Sequence, residues 1–178
     1  PAGTTVTARD QRGWIEIVVF GTLDARGATF TSEHQADGDW GGIRFMPTSV
    51  SWNAGAGSGS RLQDCTVRYA QIGVHVRGDA NLMLSPSPLV QSCTITDHAV
   101  HGVWILSATP TVKNSVVTDN GTDGISIDFA GVPQILFNTI RRNGEDGVGI
   151  GHAGPVIQNN DIRDNRWGIR STDYGLQG

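Results

Sequence analysis

Hydrophobic residues recur along this chain in a pattern that is neither helical nor that of a simple hairpin. From residue 60 onward one short unit repeats in register: a proline or its equivalent, then apolar, small polar and apolar positions, then a closing polar residue. Its copies read "RLQDCTVRYA", "PLVQSCTITDH", "PTVKNSVVTDN", "PQILFNTIRRN" and "PVIQNNDIRDN". Each leads into a glycine-headed segment: "GVHV" from Gly73, "GVWI" from Gly102, "GISI" from Gly124, "GVGI" from Gly147 and "GIRS" from Gly168, with "GIRF" from Gly42 as an earlier member. From Gly102 the glycines lie 22, 23 and 21 residues apart, whereas Gly42, Gly73 and Gly102 are separated by 31 and 29. The insertions "MPTSVSWNAGAGSGS" and "RGDANLMLSPSP" account for the longer periods.

Such a unit is too short, and too rich in Val and Ile, for a helical repeat. Three short strands, at about 3.3 Å per residue and with their turns, use up about 22 residues. The chain is therefore expected to wind, each turn pairing with the next at about 4.8 Å.

Alternation then assigns the interior. Val74 and Val76, Val103 and Ile105, Ile125 and Ile127, and Val148 and Ile150 should stack inward as aliphatic ladders. A second ladder runs through Cys65, Cys93, Ser115, Asn138 and Asn160, where amides can satisfy buried turn backbone. A third runs through Ala70, His98, Asn120, Asn143 and Asn165, at a turn where Asn tolerates left-handed backbone. Cys65 and Cys93 share a rung about 5 Å apart, close enough for a disulfide, but parallel side-chain vectors favour two buried thiols.

Composition narrows the partners. Charged residues make up 17% of the chain, Lys113 is its only lysine, and the net charge is −4. A nucleic-acid binder needs a basic face, so neutral polymers or cations are easier partners. No apolar run is long enough to insert into a membrane, and the cysteines lack zinc-ligand spacing. The ends "PAGTTV" and "STDYGLQG" look like cuts in a longer chain.

The "G[IV]x[IV]" strand and the "Nx[IV]xxN" turn resemble the generic repeat of the right-handed parallel β-helix, the solenoid of the pectin-lyase-like superfamily. That resemblance implies an all-β, single-domain solenoid over 1–178, with irregular opening coils over 1–40 and regular coils over 41–178. The stretch "GTLDARGATFTSEHQADGDWGGIRF" is similar to the opening coils of bacterial secreted β-helix proteins, which implies an extracellular or cell-surface location.

Outward positions of the glycine-led sheet form columns where a solenoid can present a long, flat face. One holds Arg44, His75, Trp104, Ser126, Gly149 and Arg170; a second holds Met46, Arg77, Leu106, Asp128, Gly151 and Thr172. The residue before each glycine makes a third: Ile72, His101, Asp123, Asp146 and Trp167. Here Asp123 stands between a histidine and a like charge. Repulsion should raise one carboxyl pKa, or the carboxylates Asp123, Asp146 and Glu145 should recruit calcium, with Asp128 nearby. A raised carboxyl beside an ionised one also suits glycoside hydrolysis. The plainer account is that Asp before Gly caps a turn.

"TDGISI" and "EDGVGI" look like part of the polygalacturonase-type glycoside hydrolases, whose acids would fall at Asp123 and Asp146. The next coil reads "RWGI" where that family has GHG, and no RxK follows. Arg170 and Arg44, expected three or more rungs from Asp123, are poorly placed as lyase bases.

Two functions from different classes follow as expectations. The first is an extracellular binding or fibre module that shows Trp104, His75, Arg77 and Asp128 to a polysaccharide or host-surface glycan, with end-to-end self-association through open strand edges. The second is a lyase, hydrolase or epimerase of a polyuronide using Asp123, Asp146 and His101.

Overall fold

A computed structural model describes residues 3–9 and 15–172, and the expected winding is what it shows. Twenty strands among the described residues form three sheets whose strands all pair in parallel. The chain visits the sheets in strict rotation. The first sheet has seven strands, from Thr5–Ala8 to Asp161–Arg163. The second, which carries the glycine-led segments, has seven from Glu16–Val19 to Trp167–Ser171, and the third has six from Asp24–Arg26 to Val156–Gln158. One coil is therefore three strands, for example Thr94–Thr96, Val103–Leu106 and Thr111–Lys113.

The winding starts earlier than the repeat does. Thr5–Ala8 pairs with Thr29–Ser32, and Glu16–Val19 with Gly42–Phe45, so the described residues before Trp40 already follow the three-sheet path. Both long insertions leave at the corner between the second and third sheets and form small antiparallel turns closed by Asn53↔Ser58 and Asp79↔Leu84. They lengthen a coil without disturbing its register.

The aliphatic ladders align as the alternation requires. Val74, Val103, Ile125 and Val148 are in register, as are Val76, Ile105, Ile127 and Ile150, and all but Ile150 are fully buried. At about 1.5 to 3 kcal/mol for each buried aliphatic side chain, these stacks supply the hydrophobic stabilisation of a core that is linear rather than round.

The polar ladders close the corners. Backbone N–H groups of Cys93, Ser115 and Asn138 donate to Ser115 Oγ, Asn138 Oδ1 and Asn160 Oδ1 of the following coil, at 3.1, 3.0 and 2.8 Å. In the other ladder the N–H groups of His98, Asn120 and Asn143 donate to the Oδ1 atoms of Asn120, Asn143 and Asn165. His98 occupies an asparagine's place there: Ala70 N–H donates to its Nδ1 at 3.0 Å.

The left-handed bend does not fall on the ladder residues. It falls one residue earlier, on Asp64, Ser92, Asn114, Phe137 and Asn159 at one corner and on Tyr69, Asp97, Asp119, Arg142 and Asp164 at the other. The positive φ there turns the next side chain inward, so the ladder asparagines owe their place to their amides rather than to tolerance of strain. Cys65 and Cys93 are free, buried thiols donating to the Gln63 and Gln91 carbonyls.

The ladders also explain the glycines that head the central strands, Gly73, Gly102, Gly124 and Gly147. A Cβ on Gly124 would lie 2.7 Å from Asn143 Nδ2 and 2.8 Å from the Gly147 carbonyl oxygen; Gly102 and Gly147 face the same arrangement. Glycine is needed here for space and not for φ. Gly124→Ala should therefore cost about 1 to 3 kcal/mol, the usual range for overpacking. Chemical denaturation should show a lower midpoint with unchanged slope, and an unshifted midpoint would refute the account.

Candidate functional site

The face of the second sheet carries the candidate residues, and the strand register sets them out. Arg44, His75, Trp104, Ser126, Gly149 and Arg170 are paired in that order, as are Arg77, Leu106, Asp128 and Gly151. Asp123 and Asp146 lie at the corner where the chain enters this sheet. Both are buried, at 8% and 2% exposure.

Asp123 divides its carboxylate between two tasks. Oδ1 accepts the Asp146 N–H at 3.1 Å, the turn-capping role that Asp before Gly favours. Oδ2 lies 3.5 Å from His101 Nδ1, which is also 2.9 Å from Thr122 Oγ1. Burial raises the Asp123 pKa against the opposing effects of the Asp146 N–H and His101. Burial likewise lowers His101, so the imidazole is neutral near pH 7 despite its acidic neighbours.

Asp146 has a different partner. Arg170 Nε donates to its Oδ2 at 2.7 Å, and Arg170 Nη2 lies 3.8 Å from Glu145 Oε2. Arg170 is thus a member of the site, where distance along the columns had excluded it. Arg170 pairs with Gly149 on the neighbouring strand, one rung from Asp146 and two from Asp123, so the expected separation of three or more rungs was too large. Asp146 Oδ1 is buried with no hydrogen-bond partner.

Between these groups lies a cleft of about 160 Å³, lined by Asp123, Ser126, Asp128, Asp146, Arg170 and Thr172 over a floor of Gly149 and Gly151. A Cβ on Gly149 would sit 3.0 Å from Asp123 Oδ2 and 3.3 Å from Asp146 Oδ2; one on Gly151 would sit 2.7 Å from Asp128 Oδ1. The absence of both side chains opens the space between the carboxylates. Their mark in the sequence is two glycines, in "GVGIG", at outward positions where the neighbouring coils carry side chains.

Trp104 and His75 do not stand out from the sheet as expected. Their rings stack at 4.4 Å and 16°, and Trp104 Nε1 donates to Asp128 Oδ2 at 2.8 Å. His75 is only 6% exposed, so it is not displayed to a ligand; burial, with Arg44 and Arg77 beside it, lowers its pKa to about 4. Both residues are recruited to support Asp128 and the sheet. Arg77 is exposed, and so is Trp167, further along the face at 54%. Among the described residues no group of three or more His, Cys, Asp or Glu side chains is arranged to hold a metal ion, so Asp123, Asp146 and Glu145 do not make the expected calcium ligand set. Arg170 sits on Asp146 where a cation was expected.

Fold and face together define a parallel β-helix with a polar cleft on one sheet. A family model described as the right handed beta helix region matches residues 50–176, and the chain belongs to that family. No match was found among curated proteins, and none among solved structures.

The buried histidines give the stability a pH dependence. Nδ1 of His98 already accepts Ala70 N–H, and burial lowers its pKa to about 3, compared with about 4 for His75 and an ordinary 6.5. Unfolding lets both bind protons below pH 6.5, so stability is full above that value and is lost as pH falls toward 4. The loss should reach about 1.4 kcal/mol per pH unit for each histidine. His101 adds to it, while the raised Asp123 acts in the opposite sense at the acid end. His98→Asn, which restores the ladder's usual residue, should flatten the slope of unfolding free energy between pH 6.5 and 4. An unchanged slope would show that His98 is not buried neutral.

Proposed function

We propose that this chain is an extracellular, polysaccharide-binding β-helix module whose binding site is the cleft on the second sheet. The observation that carries this reading is the opening made by Gly149 and Gly151 between the carboxylates of Asp123, Asp128 and Asp146. Carboxylate oxygens accept from sugar hydroxyls, and the Ser126 and Thr172 hydroxyls, which donate to Asp128 Oδ2 and the Ile150 carbonyl, add further acceptor oxygens. The cleft's size, below the roughly 300 to 1,000 Å³ of sites that enclose drug-sized ligands, suits one ring of a chain running along the sheet. Parallel strands make that face long and flat, and the net charge of −4 disfavours nucleic acid as the polymer. A location outside the cell accords with this class of ligand.

Filling the floor tests the site without touching its charges. Gly149→Ala should weaken binding of the best glycan in a polysaccharide panel at least tenfold in calorimetric titration, with little change in thermal midpoint. Wild-type affinity in that variant, or no polysaccharide bound by the parent chain, would rule the reading out.

A second reading, that the module also cleaves its glycan, is favoured by the raised Asp123 carboxyl in contact with His101. Asp123 would protonate the leaving oxygen as the glycosidic C–O bond breaks, His101 would orient Asp123, and a water that gives its proton to Asp146 would add to the anomeric carbon. Under this reading the chain releases reducing ends from a bound polysaccharide, and Asp123→Asn stops the release while binding persists. A bound but uncut polysaccharide would remove catalysis and leave the binding module.

A further inference from the structure

The donors and acceptors in the cleft are unequal in number, and that inequality bears on which sugar it takes. Three carboxylate oxygens border the glycine floor: Asp123 Oδ2 and Asp146 Oδ2 around Gly149, and Asp128 Oδ1 against Gly151. The donors nearby are turned toward the same carboxylates. Arg170 donates to Asp146 and lies against Glu145, Ser126 Oγ donates to Asp128 Oδ2, and Trp104 Nε1 donates to the same oxygen. Asp146, 2% exposed and lining the cleft, has its remaining oxygen without a partner.

The charges add up the same way. Asp123, Asp128, Asp146 and Glu145 face a single guanidinium, Arg170, so this end of the sheet carries an excess of negative charge. A uronate would bring a further carboxylate, and more acceptors, to a site where carboxylates already outnumber the one guanidinium. A metal ion has no chelating set here among the described residues. An ammonium group has three donors, no acceptor and one positive charge, and so matches what the floor offers.

We infer that the cleft selects sugar units bearing a free, protonated amine, as in an N-unsubstituted hexosamine polymer, and discriminates against uronates. This rests on the polysaccharide-binding reading and narrows its ligand. Asp128 is the main discriminating residue, because Trp104 and Ser126 hold its Oδ2 and so direct Oδ1 to the open floor.

Calorimetric titration of the whole chain at low salt, with four β-1,4-linked or equivalent hexamers, tests it: glucosamine, N-acetylglucosamine, glucose and galacturonate. The glucosamine hexamer should bind at least tenfold more tightly than the acetylated and neutral ones, and galacturonate should bind most weakly. Raising the salt to several times its starting concentration should shrink the preference. Asp128→Asn keeps an acceptor for Trp104 Nε1 and should bring the glucosamine hexamer to within about threefold of the neutral one, with the fold verified by an unchanged circular dichroism spectrum. Equal or tighter binding of the neutral, acetylated or uronate hexamer would overturn the charge selection and leave glycan binding standing. A wild-type preference retained in Asp128→Asn would overturn the role of that residue. Binding of none of the four would remove both readings.

Discussion

The structure depends on a backbone N–H that must find its acceptor one coil away. At each of two corners the bend removes the chain from the sheet ladders, and the N–H of the inward residue is buried. It is met by the side chain of the corresponding residue in the next coil, as Ser115 N–H is met by Asn138 Oδ1 and Asn120 N–H by Asn143 Oδ1. A net hydrogen bond of this kind contributes only about 1 kcal/mol, but leaving its donor buried and empty costs about 1 to 3. The same amide fills the space where the next strand's first residue would carry a Cβ, hence the glycine. One interaction thus fixes both the ladder residue and the glycine of each coil.

That economy explains what the sequence made legible. A solenoid repeats its local geometry, so a period and an alternation are enough to decide which side chains face inward and which residues share a column. The aliphatic stacks, both polar ladders and the outward columns were all recoverable in this way. The left-handed position was misplaced by one residue because ladder amides and bend residues are adjacent, and Asn is common to both roles. Arg142 and Phe137 at the bend show that the position imposes no residue type strong enough to read.

The site was less legible because its geometry is set by side chains rather than by Cα register. Asp123, Asp146 and His101 could be brought together from their column alone, since adjacent rungs are necessarily close. Arg170 stands one rung from Asp146 in the neighbouring column and was set too far off; that its guanidinium turns to Asp146 is what spacing alone does not give. His75 and Trp104 looked exposed because alternation places them outward; stacking on each other, they bury a surface that alternation leaves to solvent. Regular spacing predicts direction, and neighbours decide exposure.

Where the regular pattern is broken, the break is confined to a few positions. Outward residues on the earlier coils are large and pack against one another, from Arg44 on Glu16 to Trp104 on His75. At Gly149 and Gly151 that packing stops, over buried carboxylates that a side chain of any size would cover. Leaving them open forgoes contact area and exposes charge, which stability alone would not favour. Asp123 reconciles the two demands within one group: its Oδ1 holds the turn that the coil needs, and its Oδ2 is left to the cleft. A carboxylate so divided cannot be moved without loosening the coil. The fold therefore pre-organises one of the three carboxylate oxygens that border the glycine floor, and the rigidity of the ladder becomes the rigidity of the cleft.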